Sequence, residues 1–410
     1  MAVPAEKAVI SSRRRPQFSL CKEDSKSGAR TGCITTWRGA TAETPFGLVV
    51  TRKGLPSYLT LDNLGKVNGV QGMHVCASHF FGRDALYPRE GGSLSEIIGQ
   101  EDASPLLVLC GLRDPACYNL NLYPAAGREK ISVDTEVGVK AVSQQDYIDF
   151  VRQAQPDLCL SLSDDVVGSH SKRRRERAQQ RTAAWLRDSV KCFGESDGAL
   201  GSVGLIASVL ATEDGEENLR QARSAEALAS DPSVVGYAVM GLGLGESEEC
   251  RKGALQSICG ELPREKLRYT SGPNTPLELI EAIECGVDVL DATFVNELTA
   301  CGMAMAFPAD AEGPAVSGTG RGLNLNLWSE EFTHDQGVLV PGCGCYTCQN
   351  GFSRGYIHHL LQCRELLAEV LLEFHNTHHM CRFMGTIRAK IDEGVFSEYA
   401  KSFRKLYIHQ

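Results

Sequence analysis

Cys343, Cys345 and Cys348 fall within six residues, in the run Pro341-Gly342-Cys343-Gly344-Cys345-Tyr346-Thr347-Cys348. Three thiols this close can face one point only if the backbone turns sharply, which Gly342 and Gly344 permit. In a reduced chain such a cluster binds metal more often than it arises from incidental buried cysteines. A closed tetrahedral set then needs a fourth donor, and His358, His359, His375, His378 and His379 all follow. Ile357, Leu360, Leu361, Leu367, Val370, Leu371 and Phe374 recur at helical spacing, which predicts one long helix from Tyr356 to Phe374. His358 and His359 sit in its first turns. His375 lies at its end, where a helix packed back across the thiol loop could deliver it, and geometry leaves His378 open as well. A Cys₃His set has no free position for chemistry, so the expected ion is a structural Zn²⁺.

Composition narrows the class. A chain of 410 residues, 42% hydrophobic and 23% charged, can bury a large core as one big domain or one domain with an appended module. Its 16 cysteines are scattered, and no apolar leader stands behind Arg13, Arg14 and Arg15. The expectation is a reduced, intracellular, soluble protein, since no run nears the roughly 18 apolar residues of a membrane span. A net charge of −9 argues against indiscriminate coating of nucleic acid. A local cluster remains: Lys172, Arg173, Arg174, Arg175 and Arg177 form a candidate phosphate-binding segment, with a solvated loop as the plainer alternative.

Residues 1–35 are rich in Ser, Arg and Lys and read as a loose lead-in. Short strands are predicted at Gly47–Val50 and Tyr58–Leu61, then a buried strand at Leu106–Cys110. An alternation follows: strand 158–162, helix 175–193, strand 203–210, helix 218–229, strand 236–242, helix 248–259, strand 267–270, helix 276–284, strand 287–290. Ser247 and Thr275 are placed to cap two of those helices. Near-continuous apolar strands alternating with helices imply a covered parallel sheet, most simply a (β/α)₈ barrel, with a doubly wound sheet as the alternative. The division expected is a barrel over 36–335 and a metal-binding helical subdomain over 336–410 that completes it. In a barrel, function gathers at strand ends, here Ser163, Asp164, Asp165, Ser208, the glycines of Gly241-Leu242-Gly243-Leu244-Gly245-Glu246, and Asp291. That glycine run lacks the spacing of a dinucleotide loop. Asp291 could be a nucleophile or general base, although a lone carboxylate is more often a structural acceptor.

The thiol loop, Phe352-Ser353-Arg354-Gly355-Tyr356-Ile357-His358-His359-Leu360, Glu365-Leu366-Leu367 and His375-Asn376 together resemble the zinc subdomain of tRNA-guanine transglycosylases. Gly236-Tyr237-Ala238-Val239 with Gly241-Leu242 and Gly245-Glu246, Arg268-Tyr269 with Gly272 and Thr275-Pro276, and Gly286 to Asp291 match further family segments, as does the region from Thr44-Pro45-Phe46 to Leu59-Thr60. The resemblance implies a TIM barrel, Zn²⁺ held by Cys343, Cys345, Cys348 and His375, and exchange of guanine for queuine at the tRNA wobble position. It implies Asp291 at the nucleophile position.

Several family elements are absent. There is no Asp-Ser-Gly-Gly-Phe-Gln segment; the Phe-Asp-Glu strand end is replaced by Leu162-Ser163-Asp164-Asp165, and Val-Gln-Gly-Gly by Ile206-Ala207-Ser208-Val209. The Pro-Thr-Arg after the nucleophile gives way to Val295-Asn296-Glu297. Losing one oriented donor or base costs on the order of 10² to 10⁴ in rate, and at least three are missing together. The pattern resembles a non-catalytic member of the family. This implies a heterodimer with a catalytic subunit, support of tRNA binding for acceptors with G-U-N anticodons, and self-association when alone. It also implies a cytoplasmic protein that can attach peripherally to the mitochondrial outer membrane.

Overall fold

The computed structural model describes residues 14–82, 94–98, 106–117, 129–166, 171–195, 198–311 and 323–408. Three strands, β1 (Gln17–Glu23), β2 (Arg30–Thr35) and β3 (Thr41–Thr44), form an antiparallel sheet. The segment expected to be a loose lead-in therefore carries two strands, β1 and β2. There follow β4 (Phe46–Arg52), β5 (Leu55–Pro56), β6 (Gly72–Cys76), β7 (Leu107–Gly111), a hairpin of β8 (Lys130–Thr135) and β9 (Gly138–Ser143), then β10 (Leu158–Leu160), β11 (Gly204–Leu210), β12 (Val234–Met240), β13 (Leu267–Thr270) and β14 (Val289–Asp291). Strands β4, β6, β7 and β10 to β14 pair in parallel, and β14 returns to β4 through Val289 opposite Phe46 and Asp291 opposite Leu48. The ring is a closed eight-stranded TIM barrel.

Alternation of side chains explains why the strands are apolar on both faces. Leu48, Leu109, Leu160, Ile206, Ala238 and Tyr269 fill the interior, while their neighbours Val49, Val108, Cys159, Ala207 and Val239 turn outward to the helices. Those helices are α1 (Gln144–Ala154), α2 (Lys172–Gly194), α3 (Gly215–Glu226), α4 (Glu248–Glu261), α5 (Pro276–Glu284) and α6 (Thr293–Ala300). Ser247 and Thr275 cap α4 and α5 as the sequence suggests, the latter in a capping box with Glu278. Ile34 and Ala42 of the antiparallel sheet join the interior cluster at the strands' N-terminal end. There Arg30 makes a buried fork to Asp288, with Nε donating to Oδ1 at 2.8 Å.

The remaining elements are β15 (Met303–Met305), β16 (Asn324–Asn326), the short α7 (Tyr346–Gln349), α8 (Arg354–Cys363), α9 (Leu367–Glu393) and α10 (Phe396–Ile408). Two expectations need correction. Tyr58–Leu61 is not a strand: Leu61–Leu64 is a turn of helix, because the Leu61/Leu64 spacing lets Leu64 enter the core. Nor is Tyr356–Phe374 one helix. Arg364 adopts a left-handed conformation (φ 56°), its N–H and that of Glu365 close α8 onto Leu361 and Leu360, and a new helix begins at Leu367. His375 therefore sits inside the 27-residue α9 rather than at a helix end. That helix runs from the thiol loop past β15, α6 and β4 to the antiparallel sheet, with apolar or buried faces on most sides.

Candidate metal centre and barrel mouth

The thiol loop turns at Gly342, which takes φ 73°; Gly344 does not use the left-handed region. Cys345 caps α7, its Sγ accepting from the Cys348 N–H at 3.3 Å, and Thr347 Oγ1 donates to the Leu371 carbonyl at 2.6 Å, tying the loop to α9. The three Sγ atoms of Cys343, Cys345 and Cys348 lie 3.8, 3.4 and 3.6 Å from His375 Nδ1. Tetrahedral Zn²⁺, with Zn–S near 2.3 Å and Zn–N near 2.0–2.1 Å, puts sulfur and nitrogen ligands about 3.6 Å apart. All four donors are buried and mutually within 4.8 Å.

Protons also favour the site. His375 Nε2 donates to the Met305 carbonyl at 2.8 Å, which leaves the lone pair on Nδ1, facing the thiols. Hydrogen bonds among the three thiols pull Cys343 below its ordinary range and push Cys345 above it, so the cluster shares its protons and a bound metal would displace them. His378, left open by the sequence, is not part of the set; its ring lies beside Gly344 instead. Asn376 was named in the sequence only as the neighbour of His375, yet it is fully buried. Its Oδ1 accepts from Met305 N at 2.8 Å, and its Nδ2 donates to Thr299 Oγ1 and the Met303 carbonyl, both at 3.0 Å. Adjacent residues of α9 thus grip both polar groups of Met305.

At the barrel's C-terminal mouth, Asp291 is fully engaged. Tyr269 O–H donates to Oδ2 at 2.6 Å and His74 Nδ1 bonds Oδ1 at 2.7 Å, with all three side chains buried. Burial, followed by the Asp291 charge, raises the Tyr269 phenol well above its ordinary range, so it remains a donor. His74 Nε2 has no partner and packs against Gly111. The cavity before it, lined by His74, Arg113, Leu160, Ser163, Met240 and Tyr269, has a volume of about 30 Å³. That is room for a water or two, an order of magnitude below the ~300 Å³ at which small-molecule sites begin.

The other strand-end residues are spent locally. Ser163 donates to Asp165 at 2.6 Å, and Ser208 pairs with Ser161. Gly241, Gly243 and Gly245 all take positive φ, and the N–H groups of Gly243 and Leu244 cradle the Glu246 carboxylate at 2.8 and 2.9 Å. The loop holds its own anion. Lys172, Arg173, Arg174 and Arg175 are the opening turn of α2 rather than a loop, capped by Ser171. Arg174 forms a two-bond fork to buried Asp164 (2.8 and 2.9 Å), joined by Arg181 at 3.3 Å, whereas Lys172, Arg173 and Arg177 are exposed.

Cys76, His79 and Asp114 also converge near the mouth. His79 Nδ1 accepts from the Lys53 N–H at 3.3 Å, so its proton is on Nε2 and goes to Asp114 at 3.1 Å. A metal-bound Nε2 would force a proton onto Nδ1 against that N–H, so this is a hydrogen-bonded pair and not a ligand set.

Sequence reasoning missed His74 and the tie of Arg174 to Asp164. His74 was the detectable one, as the single residue able to carry a positive charge in the buried strand Gly72–Cys76.

A closed parallel barrel with a buried Cys₃His set able to hold a metal ion defines a TIM-barrel protein with a candidate metal centre. The chain belongs to the queuine tRNA-ribosyltransferase family, whose model matches residues 24–409. It is similar to queuine tRNA-ribosyltransferase accessory subunit 2 of Xenopus tropicalis, 29% identical over 92% of this chain and 97% of that protein. It is also similar to accessory subunit 2 of Schizosaccharomyces pombe (26%, covering 95% and 84%) and to the queuine tRNA-ribosyltransferase of Dehalococcoides mccartyi (28%, covering 95% and 93%).

Proposed function

We propose that this chain is a non-catalytic subunit of a heterodimeric queuine tRNA-ribosyltransferase. It pairs with a catalytic subunit and helps hold tRNAs with G-U-N anticodons while the partner exchanges guanine for queuine at the wobble position. The observation that carries this reading is the state of Asp291: both carboxylate oxygens are hydrogen-bonded, and the cavity beside its partners His74 and Tyr269, which Asp291 itself does not line, is about 30 Å³. A nucleophile at an anomeric carbon needs a free oxygen, an acid/base partner and room for the leaving base. The names of the relatives in frog and fission yeast support the same reading.

One Zn²⁺ per subunit, held by Cys343, Cys345, Cys348 and His375, has a structural role: it closes a small lobe, and such closure supplies about 10 kcal/mol or more of folding free energy. The exposed apolar residues Trp328, Tyr346, Tyr356, Leu366 and Leu367 surround that lobe. Tyr346, flanked by two metal ligands, stacks on Phe374 (4.8 Å between centroids), and Phe352 stacks on Tyr356 (6.0 Å). This aromatic surface is the proposed interface with the catalytic subunit, and with a second copy when the chain is alone. Lys172, Arg173, Arg174 and Arg175 belong to the proposed tRNA-facing side. The proposed location is cytoplasmic, with peripheral attachment at the mitochondrial outer membrane; no helix among the described residues is long and apolar enough to cross a membrane.

The alternative is a self-sufficient transglycosylase using Asp291, which does stand at the end of β14. Labelled-guanine exchange into tRNA, with this chain alone, the catalytic homologue alone and the two mixed, separates the two. Turnover requiring the mixture supports the subunit reading; turnover by this chain alone, abolished in Asp291→Asn, overturns it.

A further inference from the structure

Helix α2 carries eight basic and only two acidic side chains in a protein whose overall charge is −9. The structure sorts six of the basic ones into two groups. Arg174 and Arg181 turn inward to Asp164. Arg173, Arg177, Arg187 and Lys191 are exposed, and among the described residues none of them forms an ion pair. With Gln180 and Ala184 between them, these positions follow one another at steps of four and three residues, which places them on one face of the helix. At 1.5 Å per residue, the face from Arg173 to Lys191 is about 27 Å long. Glu176 and Asp188 are the acidic residues of this helix, and both are exposed.

Beside this stripe runs a groove of about 1020 Å³ between α2 and the start of α1, lined by Gln144, Gln145, Arg177, Gln180, Arg181 and Trp185. Asp188 and Glu129 also reach it. The Arg181 guanidinium lies over the Trp185 ring, 5.6 Å from its centroid. Amide side chains with exposed arginines suit a polyanion whose sugars and phosphates both offer hydrogen-bond partners. No large apolar side chain lies on the stripe, as insertion into a lipid surface would need.

We propose that the exposed face of α2 from Arg173 to Lys191, with its flanking groove, binds the sugar–phosphate backbone of RNA without reading its sequence. This rests on the tRNA-holding role proposed above and assigns it to a surface, moving the site from the first turn of α2 to its whole length.

The test uses the full chain, alone and reconstituted with the catalytic homologue, and a fluorescent tRNA with a G-U-N anticodon titrated at several salt concentrations. The stripe variant is Arg173→Gln/Arg177→Gln/Arg187→Gln/Lys191→Gln. A control of equal charge change, Lys66→Gln/Lys252→Gln/Arg264→Gln/Lys401→Gln, lies off this helix. Each lost phosphate contact lowers the slope of log affinity against log salt by about 0.7–0.9. The stripe variant is expected to lose about three units of slope and roughly tenfold or more in affinity, with unchanged melting temperature. The control stays close to wild type, and replacing the three arginines by lysine retains the slope. An unaltered slope in the stripe variant, or equal losses in the control, overturns the assignment while leaving the subunit role standing. The assignment also falls if only binding to anionic vesicles responds. Absence of tRNA binding by the wild-type complex overturns both.

Discussion

Replacing Asn376 by Ala tests how the candidate metal ligand His375 is held. The side chain is fully buried and makes three hydrogen bonds, to Met305 N, the Met303 carbonyl and Thr299 Oγ1. An alanine leaves those three groups in the protein interior without a partner, and each such orphan costs about 1–3 kcal/mol. Relaxation and partial hydration keep the sum below the maximum, so the expected loss is about 3–6 kcal/mol, a large share of the 5–15 kcal/mol that holds a typical domain together. The effect extends to the metal. β15 carries the carbonyl that fixes the His375 tautomer, and loosening an outer partner of this kind lowers metal affinity by about 10–100-fold. The assay is denaturant unfolding of the metal-loaded protein together with its metal-to-protein ratio after competition with a chelator. Asn350 supplies the comparison: it is close to the thiol loop in sequence, but its bond to the Tyr346 carbonyl is exposed. Asn350→Ala should stay within about 0.5 kcal/mol of wild type. If Asn376→Ala loses less than about 1 kcal/mol and keeps its metal, α9 does not hold the ligand in the manner described.

Three further outcomes are expected. Cys345→Ala should lose both metal and the dimer by mass photometry, whereas Tyr346→Ala should keep metal but weaken dimerisation by about 2 kcal/mol, roughly thirtyfold; coincident loss in both would unlink the stack from the interface. Asp288→Ala strands the buried Arg30 guanidinium and should cost about 3–5 kcal/mol in denaturant unfolding, against near-wild-type stability for an exposed pair such as Lys390–Glu393. Asp114 gives a pH signature: burial alone would raise its carboxyl, but hydrogen bonds from His79 and the Ala116 N–H hold it below the ordinary value of 3.8. A depressed carboxyl contributes stability that is complete above the ordinary value and is lost as pH falls through the lowered one. Asp114→Asn should therefore flatten the fall in stability below about pH 4; an identical acid limb refutes the assignment.

What could be read from the chain beforehand follows the range of the interactions. Three of the four candidate metal ligands are local, so their spacing announces them; the buried strands β11 and β12 announce themselves by near-continuous apolar runs. The break at Arg364 left no trace, because arginine has no preference for a left-handed backbone, and it takes the closing bonds to Leu360 and Leu361 to make one. β1 and β2 were hidden because their partners, not their own residues, make them strands: β1 is largely exposed and gains its order by pairing with β2. The occupation of Asp291 was equally invisible, since His74 lies 217 residues away in sequence. Likewise the basic segment looked uniform until Asp164 claimed Arg174.

Helix α9 has a consequence for biogenesis. Its far end and the start of α10 secure the opening sheet: Asp392 accepts from Thr31 at 2.8 Å, Ser397 donates to Asp24 at 3.0 Å, and Glu398 pairs with Lys26. Partners more than 360 residues apart cannot meet while the ribosome still covers the later one. Strands β1 and β2 must therefore wait, without these ties, until the segment beyond residue 392 has emerged. Nascent copies stalled before residue 392 should engage chaperones through those early strands.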